Sequence, residues 1–264
     1  MTRFAGELRQ WRDRRGVSQL DLAVRAGTTQ RHLSFIERGR SAPGRTMVVR
    51  LAESLELTLR ERNSLLLAAG YAPLFPESDL STETLRPVRE ALDTILAGHD
   101  PYPAVVVRAD GEIVAANASM ELLFEDVDAA LLEHPMNAFR IALHPDGMAP
   151  RISNFAEWAQ HVLNAMRTTA RRSPGAGLDQ LLNELERYVP AHVPGPDHLG
   201  FAVPLSLASA DGEVTLMTTL MSFATATDVT LADLNLEAFL PVDAKTAQIL
   251  RDRAERRRHR DRLP

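Results

Sequence analysis

The sequence predicts an α+β fold in two parts: an all-α head of five short helices, then a larger body that mixes an antiparallel sheet with helices. Three observations carry this prediction. Residues 4–70 show helical apolar spacing, interrupted at short intervals by glycine. Two later stretches read as hairpins, each turned by Asp-Gly, at Asp110-Gly111 and Asp211-Gly212. Charge divides along the same line. Residues 1–72 hold 13 arginines against 7 acidic residues, a balance of +6, and the remainder holds 17 basic against 28 acidic residues, a balance of −11. A basic head on an acidic body implies two jobs, with the head the candidate for a polyanion.

In the head, Phe4, Leu8 and Trp11 place one apolar stripe on a first helix that Gly16 stops. Ser18 suits the N-cap of a second helix carrying Leu20, Leu22 and Ala23, which Gly27 ends. Thr28 or Thr29 caps a third, closed by Gly39. A fourth helix is expected from about Arg45 to Leu55 and a fifth from about Thr58 to Ala69, with Leu65 and Leu66 inward. Residues 1–72 therefore form the first domain, and proline-rich YAPLFPESDLST reads as a linker, taken as 73–82.

The body is expected to span 83–253. A connecting helix covers about Glu83 to Leu96, and AVVVRADGEIVAAN then forms two strands. Helical patterns dominate from 117 to 188, and 201–225 forms the second hairpin before a final helix. That order of strand, strand, helices, strand, strand, helix implies an antiparallel sheet. The charged remainder, 254–264, reads as a frayed tail.

On the third helix of the head, Leu33 and Ile36 share one face and pack inward. Arg31, Ser34, Phe35 and Arg38 point the other way, with Gln30 at the exposed N-terminal end. A helix, a glycine turn and a second helix with a face of donors and positive charge suit the DNA major groove. The segment LRQWRDRRGVSQLDLAVRAGTTQRHLSFIERGR resembles the helix-turn-helix of the phage-repressor-like (XRE) regulators. Leu8, Arg12, Gly16, Ser18-Gln19, Leu22-Ala23, Gly27, Leu33, Ile36-Glu37 and Gly39 carry the likeness over residues 4–70. The resemblance implies that Gln19 meets a DNA phosphate, that Thr29, Gln30 and Arg31 face base edges, and that Ser34 and Phe35 lie near the groove wall. It further implies Arg45 near the backbone or minor groove and an ion pair between Arg12 and Glu37. Double-stranded operator DNA is then the expected partner and a homodimer on an inverted repeat the expected form.

In the body, PYPAVVVRADGEIVAANASMELLF resembles the opening of a PAS-like sensor domain. More closely, 83–250 resembles the C-terminal domain of MmyB-like regulators, through PYPAVVV, VAAN, LHPDGMAPRISNFAEWAQHVLNAMR and VTLADLNLEAFLPVDAKTA. Phe155 stands where that family usually has tryptophan, with Trp158 three residues later. The resemblance implies a PAS-like domain with a small-molecule pocket and a fatty-acid-like or other acyl ligand. From the residues themselves, Arg151 is the candidate for a ligand carboxylate, with His144 in the same turn-rich segment and Asn154 as a second donor. Trp158, Val162 and Met166, at i+4 spacing, form a candidate apolar wall alongside Met148. The same three also suit plain core, and Arg151 equally suits a helix cap or a pairing with Asp146.

Other chemistries find little support. There is no cysteine, so no disulfide framework or thiolate metal site. His134, His144, His161, His192 and His198 fit no metal spacing, no G-x-S-x-G is present, and GAG at 175–177 follows no strand. No enzyme activity, metal or resident cofactor is expected. No apolar run is long enough for a membrane, and the N-terminus lacks a signal-peptide core, so a cytoplasmic protein is expected. The leading expectation is a ligand-responsive transcription regulator. A second is a DNA-binding regulator whose body binds another protein and holds no small molecule.

Overall fold

The computed structural model describes residues 2–172, 176–190, 203–223 and 225–261. His192, His198, Gly175, the first two residues of the second expected hairpin and the last three of the tail lie outside the described residues. The chain divides into two compact units: Met1–Asp79 with Arg171–Ser173 and Ala224–Ala232, and the rest.

Five helices form the first unit: α1 (Arg3–Arg14), α2 (Gln19–Arg25), α3 (Gln30–Glu37), α4 (Arg45–Ser54) and α5 (Leu59–Ala68). Side-chain caps fix four of the starts. Thr2, Ser18, Thr29 and Thr58 each accept a hydrogen bond from a first-turn backbone N–H, and Thr58 forms a reciprocal box with Glu61. Gly16 and Gly27 close α1 and α2 with φ near 63° and 64°, a backbone that side chains bearing Cβ adopt at a cost. Leu8, Leu22, Leu33, Ile36, Leu51, Leu65 and Leu66 are buried together in one core.

The segment expected as a linker is partly built into this unit. Asn63 on α5 accepts from the backbone N–H groups of Leu74 (2.9 Å) and Phe75 (3.1 Å) and donates to the Phe75 carbonyl (2.7 Å). A later piece of chain, containing the one-turn α10 (Val229–Ala232), secures the next residues. The Val229 N–H donates to the Pro76 carbonyl (2.8 Å), Thr230 Oγ1 donates to the Ser78 carbonyl (2.7 Å), and buried Asp228 accepts from the Ser78 N–H (3.2 Å).

The second unit holds α6 (Arg86–Gly98), α7 (Ala138–Leu143), α8 (Phe155–Arg172), α9 (Ala176–Leu185) and α11 (Ala244–Arg260) around a five-stranded sheet. The strands are β1 (Ala104–Arg108), β2 (Ile113–Ala116), β3 (Leu205–Ser209), β4 (Gly212–Ser222) and β5 (Leu234–Pro241). Their order is β2-β1-β5-β4-β3, antiparallel throughout. The α+β class and both Asp-Gly hairpins are as expected. Gly111 has a second reason to be glycine, because a Cβ there would stand 2.4 Å from the Phe139 ring.

Two expectations are corrected. The central strand, β5, is absent from the strand list read off the sequence. The final helix does not fray at 253 but continues through Arg260. Arg257 is buried, donates to Glu121 (3.1 Å) and Ser119 (3.1 Å), and also pairs with Asp100. Arg253 is paired with Asp211 (2.5 Å) and with Glu125. The stretch 253–260, with five arginines, stays helical with acids from far along the chain paired to it.

Arg257→Ala removes the buried cation that Asp100 and Glu121 share, leaving them Arg258 and Arg260 at the surface, and should lower unfolding free energy by about 2 kcal/mol. Arg256→Ala, at a mostly exposed side chain, should change it by less than about 0.5 kcal/mol. Urea titrations of the two variants check the contrast.

Candidate functional site

The outer face of α3 is built from its cap and its core. Thr29 Oγ1 accepts from the His32 N–H (3.1 Å), which starts the helix, while Leu33 and Ile36 are buried and set its rotation. That rotation leaves Thr29, Gln30, Arg31 and Arg38 exposed and Ser34 and Phe35 half-buried. The Arg31 guanidinium lies over the Phe35 ring, 5.6 Å from its centre, which holds a charged donor out from the helix. Arg45, at the first position of α4, is also exposed.

Beneath this face a polar knot joins three helices. Glu37 is buried, and it accepts from Arg12 Nε (2.7 Å), Arg12 Nη2 (3.3 Å) and Gln19 Nε2 (2.7 Å). The hydrogen bonds to Glu37 hold the Arg12 guanidinium above its ordinary pKa, against the opposing effect of burial. Arg12 Nη1 also donates to the Val17 carbonyl (3.0 Å), which fastens the turn before α2. Gln19 thus uses one amide donor inward and stands half-buried at the start of α2 with the other still to place.

The second unit holds a mainly apolar, partly open cavity of about 460 Å³, within the usual range for small-molecule sites. One wall is the sheet, through Val105 and Val107 of β1, Thr218 and Leu220 of β4, and Asn235, Glu237 and Phe239 of β5. The opposite wall comes from α7 and α8, including Ile141, Trp158, Val162 and Met166. Met120, Leu123 and Met148 fill between them.

The expected ligand residues divide. Trp158, Val162 and Met166 line the cavity. His144, Arg151 and Asn154 are not among its lining residues, and their polar atoms have other work. Arg151 donates to the carbonyls of Leu122 (3.3 Å), Leu123 (2.7 Å) and Ala208 (3.3 Å) and stands 3.5 Å from Glu125. Asn154 bridges the start of α8 to β3, donating to the Pro204 carbonyl (2.8 Å) and accepting from the Ser206 N–H (3.1 Å). His144 Nδ1 accepts from the Asp146 N–H (3.0 Å), and its ring packs edge-on against Tyr188. Arg151 and Asn154 tie loops to β3 and its flank, although Arg151 Nε is buried without a partner, and His144 fastens its own turn.

The sequence reading missed the polar group that does face the cavity. Glu237 stands mid-strand on β5, opposite Val105 on one side and Leu220 on the other. Burial raises its carboxyl above the usual carboxylate range. The signal was present in LNLEAF: Leu234, Leu236 and Ala238 face one way, and Asn235, Glu237 and Phe239 the other.

The comparisons fit both halves of this geometry. Residues 8–62 match the family described as Helix-turn-helix. Residues 88–252 match the family described as MmyB-like transcription regulator ligand binding domain. The chain belongs to the MmyB-like transcription regulators. No curated protein matches it significantly. It is a DNA-binding transcription regulator with a ligand-binding domain, and the cavity lies wholly within the residues matched to that domain. Among the described residues, no helix of this regulator is long and apolar enough to cross a membrane, and no cluster of side chains suits a metal ion.

The raised carboxyl of Glu237 fixes a pH dependence. The folded state holds this proton to higher pH than the unfolded chain does, so stability falls as pH rises from the ordinary carboxylate range through the raised value. Glu237→Gln removes the titration and should flatten that limb, leaving the variant more stable than the wild type near neutral pH. Unfolding midpoints for both chains from about pH 4 to about pH 8 test the sign.

Proposed function

We propose that this regulator binds operator DNA as a homodimer through the exposed face of α3 and answers to a small apolar or acyl molecule held in the cavity of its second unit. The observation that carries the proposal is the cavity, whose apolar walls leave enough volume for such a molecule. A concave apolar space of this volume, partly open to solvent, supports a small-molecule sensor more than the rival reading of a protein-docking body, for which a flat apolar patch would be the support.

In the proposed contact, Gln30 and Arg31 read base edges from the N-terminal end of α3, with Thr29 beside them. Gln suits adenine and Arg suits guanine, each through paired donors and acceptors. Ser34 and Phe35 meet the groove wall, Arg38 and Arg45 meet the phosphate backbone, and the second amide donor of Gln19 meets a phosphate. Phosphate contacts fix the register while the base contacts choose the sequence. Trp158, Val162 and Met166 form the apolar floor under the ligand. His144, Arg151 and Asn154 shape the unit from behind and do not touch the ligand.

Arg31→Ala should relax base preference and cost about 1–3 kcal/mol of discrimination in a binding selection; an unchanged preference would move the reading face elsewhere. Native mass spectrometry of the purified chain should show a dimer and a retained small molecule, and operator affinity should change when that molecule is stripped. A monomer both free and on DNA, or identical affinity with and without the molecule, would remove the corresponding part of the proposal.

A further inference from the structure

Many arginines of the head are paired with acids. Arg3 and Arg9 meet Glu7 and Asp13 along α1, Arg12 is held by Glu37, and Arg60 and Arg62 reach Glu77 and Glu53. Arg31 stands apart from these. It is exposed on α3, whose first turn has no acidic residue and whose carboxylate, Glu37, is buried and taken by Arg12 and Gln19. Among the described residues, the partner of the Arg31 guanidinium is the ring of Phe35, one helical turn on, with 5.6 Å between its central carbon and the ring centre.

A ring is a particular kind of partner for an arginine that reads a base. A carboxylate would take N–H donors into its own fork and leave fewer for DNA. An aromatic face attracts the same cation through its quadrupole and takes no donor. The donors lie in the guanidinium plane and stay free for the O6 and N7 acceptors of a guanine. Phe35 is also a firm support. It is half-buried and stiff, and its carbonyl accepts from the Arg40 N–H (2.8 Å) where the helix closes. Arg31 is long and rich in rotamers, whereas a bidentate contact needs one of them, so a support already in place lowers the ordering that binding requires.

We infer that Phe35 is a positioning residue for base reading: its ring holds Arg31 where its donors meet one base edge, and so sharpens sequence preference through Arg31. The inference rests on reading the exposed face of α3 as the surface that meets DNA, and it gives Phe35 a part there beyond filling space at the groove wall.

The test uses the full chain and a pool of random duplexes, from which each variant selects its preferred sequences, followed by affinities on the wild-type consensus and its single-base changes. Arg31→Ala should lose the preference at one position. Phe35→Leu keeps an apolar side chain without a ring, and should weaken the preference at that same position by about two- to fivefold, while Phe35→Tyr keeps it. Combined with Arg31→Ala, Phe35→Leu should have no further effect there. A preference unchanged in Phe35→Leu overturns the inference. So does an effect that persists undiminished without Arg31, which marks direct contact between Phe35 and a base, and so does an equal loss on every duplex, which marks a structural role alone. A loss in Phe35→Tyr as large as in Phe35→Leu overturns it too. If Arg31→Ala leaves every preference unchanged, the reading face assigned to α3 falls and the inference with it; if Arg31→Ala changes the preference and Phe35→Leu does not, the inference alone falls. Should Phe35→Leu fail to fold, Phe35→Met, which also lacks a ring, takes its place.

Discussion

β5 lies between β1 and β4, and its side chains alternate between a buried face and the cavity. That period of two governs most of the second unit. Leu234, Leu236 and Ala238 are buried on one face of the sheet. Asn235, Glu237 and Phe239 turn to the other and complete the cavity wall. Shifting the strand by one residue would drive three apolar side chains into the cavity and carry a carboxyl and an amide into dry packing. The register with β1 and β4 is thus held by both faces at once, and the polar spot in the cavity is a consequence of it.

The head was legible because its determinants are local. Caps, glycine stops and apolar spacing act within one or two turns, so Thr29 as cap and Leu33 with Ile36 as anchors can be read from a dozen residues. The body was harder for a physical reason. β5 has no Asp-Gly turn before it, and its alternation over LNLEAF is short and follows directly on a helical turn. Arg151 and Asn154 have the right chemistry for a ligand, but their partners at Ala208 and Ser206 are more than fifty residues away. Nothing at the sequence level shows which partners those donors take. The apolar residues of α8 were correctly located on a wall, since helical spacing is local too; the group opposite them was not.

Charge is sorted more strongly in space than along the chain. The arginines of α11 look as available in the sequence as those of the head. In the fold, Arg253 and Arg257 are taken up by Glu125, Asp211, Glu121 and Asp100, and Asp100 is held below its ordinary pKa: burial alone would raise it, but hydrogen bonds from Arg258 and Ser119 and the nearby arginine charges prevail. Arg31, Arg38 and Arg45 of the head stay exposed. Positive potential is therefore concentrated where a polyanion can reach it and cancelled where it would only compete.

The piece of chain that carries α10 adds a topological consequence. It leaves the sheet at the end of β4, supplies Asp228, Val229 and Thr230 to the residues following α5, and returns as β5. The head is therefore completed by a stretch of chain from far beyond it in the sequence. A fragment cut after residue 79 would leave Pro76 and Ser78 facing water where they now face Val229, Thr230 and Asp228, and a transplanted body would bring along a splint shaped for a head it had lost. Recombination between such regulators should therefore carry that splint along with the head.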